Sequence, residues 1–490
     1  MSGTCEAAVG SASTYDQWAR SELGGAGFGD HRLDERAVMT LSAFLASPQA
    51  SIPRAAGGWA QAKAIYRFLD NEKVAPQIIL ARHRESILPR AKGEPVVLAI
   101  ADTTMLDYTR HPETAGLGPL SDLVHHGMLF HPTLLLTPQR VPLGVIDAQM
   151  WVRDIDTFGS SNAKSKFRDL DEKESRKWLG SMEAAESLQR DLGEATKVIS
   201  VFDREGDTYD VLATARLEER KGQVLVRAQF NRRLEKSNKA EDEEDKQQQQ
   251  KLWSRLEDEP IAATVGIEVP RKKGQSTRAA NLSIRFAKVT VRPPSGGLRS
   301  EGSQPVEVYA VYANEDSPPT GIKPVSWMLL TTVEVASADD AWTIVQWYSC
   351  RWMIEILFKV LKTGCTAEER QLETAERLQN CLALDVVVAW RILYLTMVGR
   401  DTPDLPCTVV FEEYEWKALW MFVFRDADGT PETPPTLREV TRTIGRLGGH
   451  LGRKGDGEPG ILTMWRGLQR LPDIAECWQV FDARFRSGDG

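Results

Sequence analysis

The chain has 490 residues, 42% of them hydrophobic and 27% charged, with a formal net charge of −8. That is the composition of an ordinary soluble globular protein, long enough for two to four domains with real cores. The acidic balance counts against a nucleic-acid binder, although such partners respond to local patches rather than to the total.

The N-terminus, MSGTCEAAVGSASTYDQWAR, lacks a basic start followed by an apolar stretch, and no apolar run looks long enough to span a membrane. A cytoplasmic location without a membrane partner is therefore expected. Cys5, Cys350, Cys365, Cys381, Cys407 and Cys477 form no C-x-x-C pair and have no His at zinc-ligand spacing. Free thiols in a reducing cytosol fit this pattern better than a disulfide framework or a structural zinc.

In chain order, residues 1–90 predict a helical domain, with DERAVMTLSAFLAS and AQAKAIYRFLD as helices on either side of SIPRAAGG. Arg32 and Arg36 stand four apart at the start of the first of these, on one face. By spacing alone that face is simply solvated. From 91 to 229 the pattern changes. PVVLAIADTT, HGMLFHPTLLLT and VPLGVIDAQMWV predict three antiparallel strands. DEKESRKWLGSMEAAESLQRDL predicts a helix, KVISVFDREGD a strand ending in acids, TYDVLATARLEER a helix and QVLVRAQ a strand. This order is that of an RNase H-like α/β core.

Residues 230–335 predict a β-rich insertion, opened by the low-complexity tract KAEDEEDKQQQQK at 239–251, which reads as a disordered surface loop. Basic runs lie on both sides of that tract, Arg216–Lys236 and Arg271–Arg299. A core helix follows over 336–372, with Ser337 or Asp339 as N-cap and Gly364 as stop. Residues 373–490 predict a second helical domain. Within it, REVTRTIGRLGG and ILTMWRGLQRL form a pair turned back by HLGRKGDGEPG.

The chemistry concentrates in QWYSCRWMIEILFKVLKTG. Tyr348, Arg351, Glu355 and Lys362 stand at offsets 0, +3, +7 and +14. On an ideal α-helix these fall within an arc of about 60°. The rest of the circumference is largely apolar, so the helix is buried and its polar stripe needs partners. An internal Arg351–Glu355 pair accounts for two of the residues. A metal and phosphate site accounts for all of them, with Glu355 as ligand, Arg351 and Lys362 on phosphate oxygens and Tyr348 as hydrogen-bond donor. Asp102 follows the strand VVLAIA and Asp203 follows VISVF. Taken singly, each is an ordinary turn or cap residue. Together with Glu355 they make an oxygen-only set for two divalent ions, Mg²⁺ or Mn²⁺, of the kind that acts on phosphodiesters.

The spacing Y-(2)-R-(3)-E-(6)-K resembles the YREK motif of the insertion-sequence-four family of DDE transposases. LAIADTTMLDY, VFDREGDTYD and YSCRWMIEILFKVLKTG resemble the blocks of that family in order, closest to its Tn-five (insertion-sequence-fifty) type. The likeness extends to FGDHRLDERA and AIYRFLDN near the start, DEKESRKWL in the middle and RLGGHLGRKGDGEPGILTMWRGLQRL near the end. The resemblance implies a cut-and-paste transposase in a bacterial cytoplasm, nucleoid-associated when bound to DNA. Asp102, Asp203 and Glu355 would be its metal-binding triad, and Tyr348, Arg351 and Lys362 would bind backbone phosphate near the transposon end. Trp327, 21 residues before Tyr348, would stack on a flipped base during hairpin formation, although spacing alone makes it a strand-core tryptophan. Arg32 and Arg36 would contact the end sequence, which reverses their reading as a solvated face.

The implied partners are the double-stranded DNA of transposon ends and target, and a second subunit in a synaptic homodimer paired through the C-terminal helices. The implied reaction is hydrolysis at the transposon end, hairpin formation and opening, and strand transfer. The rival readings are another RNase H-fold DNA nuclease, and an inactive transposition inhibitor or domesticated DNA-binding protein. The acid-rich insert and the acidic balance depart from the family pattern.

Overall fold

The computed structural model describes residues 14–25, 27–156, 158, 176–235, 250–269, 278–294, 303–425, 429–453 and 455–487. Most of the KAEDEEDKQQQQK tract, and Arg271, Lys272, Lys273 and Arg299 of the second basic run, lie outside these residues.

Five helices open the fold: α1 (Thr14–Leu23), α2 (His31–Ala46), α3 (Ile52–Ala55), α4 (Trp59–Leu69) and α5 (Pro76–Ala91). Asp30 caps α2 by accepting from Arg32 N, while Asp34 in its first turn accepts from Gly27 N and Phe28 N, which fixes the approach of the chain. The fully buried Glu22 pairs with His83 and Arg90 and ties α1 to α5. That pairing holds its carboxyl down at about 2 against the opposing cost of burial.

The core follows as β1 (Val96–Ala101), β2 (Thr104–Asp107), β3 (Gly118–Pro119), β4 (His126–Leu136), β5 (Pro142–Trp151), α6 (Arg176–Leu192), β6 (Lys197–Phe202), α7 (Tyr209–Thr214) and β7 (Gln223–Arg227). Its strands lie in the order β5-β4-β1-β6-β7, with β4 antiparallel to both neighbours and β1, β6 and β7 mutually parallel. This is the RNase H-like arrangement. Side-chain alternation sorts the two faces. Leu98, Ile100, Ile199 and Val201 enter one hydrophobic cluster with the helices that follow residue 337, whereas Val97, Ala99 and Val198 pack with Ala185 and Leu188 of α6 on the other side. The result is a helix–sheet–helix sandwich.

The β-rich insertion extends this same sheet. After α8 (Leu252–Glu257) come β8 (Ala263–Val269), β9 (Arg278–Val291), β10 (Val306–Asn314) and β11 (Ser326–Thr331), and β11 docks antiparallel on β7. Much of the charge in the basic runs is consumed by this packing. Lys221, Arg232, Arg278 and Lys288 are in ion pairs with Glu194, Asp207, Glu315 and Glu307, and Arg216 and Arg227 donate to main-chain carbonyls.

Helices α9 (Ala338–Ser349), α10 (Trp352–Lys359), α11 (Ala375–Asp401), α12 (Glu413–Phe424), α13 (Leu437–Leu447), α14 (Ile461–Leu468) and α15 (Leu471–Ser487) complete the chain. Two sequence expectations change here. First, 338–364 is not one regular helix. Cys350 N and Arg351 N bond carbonyls three residues back, which overwinds one turn between α9 and α10. Residues 360–364 form a π turn closed by Cys365 N on Val360 O, which underwinds the chain again. The 60° arc of an ideal helix therefore does not describe the stripe. Second, α11 is long and apolar enough to cross a membrane by length and composition, yet 83% of its most apolar window is buried inside this protein. Leu378, Leu382, Val386 and Trp390 lie between the N-terminal helices and the core, where their apolar area leaves water. The α11 sequence is apolar all round because it is surrounded.

Candidate active site

Strand register sets the first two acids side by side. β1 and β6 pair in parallel with Ile100 opposite Val201. Two residues on, each just past its strand end, Asp102 lies across from Asp203 in the same phase of alternation as Ile100 and Val201. Their side chains therefore face the side of the sheet that α9 and α10 cover. Asp203 also caps the short 3₁₀ turn Arg204–Gly206, accepting from Glu205 N at 2.8 Å. Asp207 at the end of that turn is buried and held by Arg232, which pins the loop from below.

Glu355 comes from α10 on the facing layer. Arg351, one turn earlier, links the two layers. Its Nη1 donates to Asp102 Oδ2 at 2.8 Å and stands 3.6 Å from Glu355 Oε1. The Asp102 side chain is 14% exposed and Glu355 40%, so the site is a partly closed cleft. Burial pushes the Asp102 carboxyl up to about 6. Asp203 and, more weakly, Glu355 push the same way, against Arg351 and the Thr103 amide. Asp102 thus feels the charge of both other acids.

No three His, Cys, Asp or Glu side chains among the described residues stand close enough to ring an ion as they are. Arg351 lies between two of the three and supplies the positive charge the cluster requires. The donor set is nothing but carboxylate oxygen, on rigid strand ends and one helix, which fits a hard divalent cation.

Tyr348 is buried beside Arg227, and burial raises its pKa above the ordinary value, against Arg351 and Arg227. Trp327, at the start of β11, packs edge-to-face on Tyr348 with ring centroids 5.5 Å apart. It is half-buried on this rim and packs against the main hydrophobic core as well. Arg351, Tyr348, Arg227 and Trp327 thus form one contiguous wall of the cleft. Lys362 sits elsewhere. The π turn carries its ammonium to Met105 O and to Glu368, 3.1 Å away, beside β2. Arg32 and Arg36 lie on α2, and no hydrogen bond or ion pair among the described residues connects either side chain to the carboxylates.

Sequence reasoning passed over three residues here. Arg227 belonged to a named basic run, but only β7–β11 pairing sets it beside Tyr348. Trp352, 62% exposed, stands three residues from Glu355 on the same side of α10, and only the structure shows that it is at the surface. His131, fully buried, bonds Thr103 next to Asp102, and a lone histidine in an apolar strand gave no signal.

Three family models match the chain: Transposase DNA-binding at residues 15–74, Transposase DDE domain at 186–388 and Transposase Tn5 dimerisation domain at 387–487. Among solved structures, the chain is similar to a piggyBac transposase synaptic complex with hairpin DNA. The identity is 8%, over 81% of this chain and 69% of that one, with a TM-score of 0.31, too low to carry any argument.

Proposed function

The chain belongs to the Tn5-type DDE transposases, and from that premise we propose that it cuts transposon ends by hydrolysis, forms and opens a hairpin, and joins the freed 3′-hydroxyl to target DNA. The observation that carries this reading is that Asp102 and Asp203 stand side by side on two adjacent parallel strands and Glu355 faces them from the helix layer, with Arg351 between Asp102 and Glu355. Divalent ions held by these carboxylates, Mg²⁺ or Mn²⁺, would activate the attacking oxygen and stabilise the leaving one.

The remaining roles belong to the chain's own side chains. On binding of metal and DNA, Arg351 exchanges its carboxylate partners for a phosphate oxygen, for which its planar fork is suited. Tyr348, fixed by Arg227, donates to the same backbone, and Lys362 contacts phosphate farther along. Trp327 offers an indole face to a base turned out of the duplex. Arg32 and Arg36 bind the end sequence through α2, and two subunits pair on two ends through the C-terminal domain.

Asp102→Ala, Asp203→Ala and Glu355→Ala are each expected to cut nicking in Mg²⁺ on the order of 100-fold or more while leaving end binding nearly intact. Gel-shift and single-turnover cleavage on an end duplex read the two quantities separately. Near-normal nicking by any one variant removes that residue from the triad. An end-joining assay on pre-cut ends distinguishes transposition from plain nuclease action.

A further inference from the structure

We propose that His131 is a positioning residue for Asp102, and that with Trp178 and Phe202 it forms a buried bracket that sets Asp102 against Asp203. This rests on the reading of those two acids as metal ligands. β4 is the antiparallel neighbour of β1, and the pairing of Ala101 with Thr133 brings His131 level with Thr103. The imidazole Nδ1 lies 2.9 Å from Thr103 Oγ1, and Thr103 N in turn donates to Asp102 Oδ1 at 2.7 Å. His131 is wholly buried and its other nitrogen, Nε2, has no hydrogen-bond partner among the described residues. A buried nitrogen without a partner is costly, and a Phe or Leu would fill this place without that cost if packing were its only task.

The ring is wedged in place. His131 meets Trp178 edge-on, with centroids 4.7 Å apart at 89°, and Trp178 meets Phe202 at 5.0 Å. Phe202 is the last residue of β6 and precedes Asp203. The indole thus spans from β4 to β6 beneath the ends of β1 and β6. α6, which carries Trp178, is itself fastened to the sheet. Thr133 donates to Ser181 at 2.9 Å, and Gln149 donates to Lys177 O at 2.9 Å. Lys177 covers the indole, 5.2 Å from its centroid, and pairs with Glu205 in the turn after Asp203. From His131 to Glu205 each group touches the next; one end reaches Asp102 through Thr103, and the other reaches Asp203 through the Glu205 amide.

Outer-shell partners of metal ligands commonly govern affinity about 10- to 100-fold. The test is Mn²⁺ titration of the full-length protein, followed by electron paramagnetic resonance, alongside thermal melting and nicking. His131→Leu keeps the bulk and removes the polar contact. It should melt close to wild type yet bind Mn²⁺ about 10-fold more weakly, with nicking that recovers as Mn²⁺ is raised. His131→Asn presents an amide near the Nδ1 position, able to donate or accept, and should regain most of the affinity. Thr103→Val, which deletes the hydroxyl without changing shape, should lose as much as His131→Leu, and it keeps the proposal open to refutation if His131→Leu does not fold. Wild-type Mn²⁺ affinity in a folded His131→Leu or in Thr103→Val overturns the proposal. Asp203→Asn is the control. If it too binds Mn²⁺ normally, the ligand reading itself falls, and the bracket with it.

Discussion

Two carboxyl groups, one on an aspartate and one on a glutamate, show how the same chemical group is turned to different ends. Asp102 is crowded by Asp203 and relieved by Arg351, so its charge is kept at the lip of a cleft where a cation can meet it. Glu415 sits at the first turn of α12, 6% exposed, where its carboxylate accepts from Glu412 N. Burial raises it to about 7, with Glu412 adding a little and Arg391 and the Glu412 amide opposing. A folded-state value above the usual 4.5 means that the native protein takes up a proton the unfolded chain would release. The stabilising contribution is complete below about pH 4.5 and is lost as the pH rises through about 7. The full span is worth about 3 kcal/mol. Glu415→Gln keeps a neutral acceptor at every pH, so its melting temperature should overtake that of wild type between pH 6 and 8, as followed by circular dichroism. Parallel melting curves for the two proteins across that range would show that Glu415 is not held neutral.

Among the elements, α13 and α14 were legible as a helical pair with apolar residues at helical spacing, and the structure decides what that spacing is for. Val440 and Ile444 are buried against Leu395, Val398, Leu419 and Met464 within one subunit. These apolar positions make an intramolecular core, so the surface that meets a second subunit must be drawn from other residues of the domain. The pair approaches very closely. A Cβ on Gly467 would stand 1.9 Å from Ile444 O, and one on Gly448 would stand 1.8 Å from Thr463 O. Both obstacles are main chain, which cannot swing aside. Gly467→Ala should therefore force the helices apart and cost about 1–3 kcal/mol, visible as a lower melting temperature with single-end binding retained. An unchanged melting temperature would mean that the two helices are not packed this tightly. The helical segment that carries Glu355 behaves in a related way. Its residue types and spacing pointed to a site, but one tight turn and one π turn redistribute them, so Tyr348, Arg351 and Glu355 share the cleft while Lys362 turns to Glu368.

For the whole molecule, the matched dimerisation domain and the carboxylates bridged by Arg351 lead to one expectation. The protein bound to end-sequence duplex should form a complex of two subunits and two duplexes, and cleavage should appear only in that species. Light scattering coupled to size exclusion would show it, and cleavage by a species of one subunit and one duplex would count against it. The sequence by itself determined the layout: helices, an α/β core with its strand-end acids, a β-rich insertion and a helical C-terminal region. It could do so because alternation and helical spacing are local, and because the residue types that bind phosphate and hard cations are few. The tertiary structure alone decided what depends on register and burial. It placed Asp102 across from Asp203, joined the insertion to the core sheet at β11, drew Arg227 to Tyr348, buried a helix that could otherwise pass for a membrane span, and set His131 behind Asp102. Each of these brings together residues far apart in the chain, and the free energy that selects such contacts belongs to the packed whole, which no local pattern encodes.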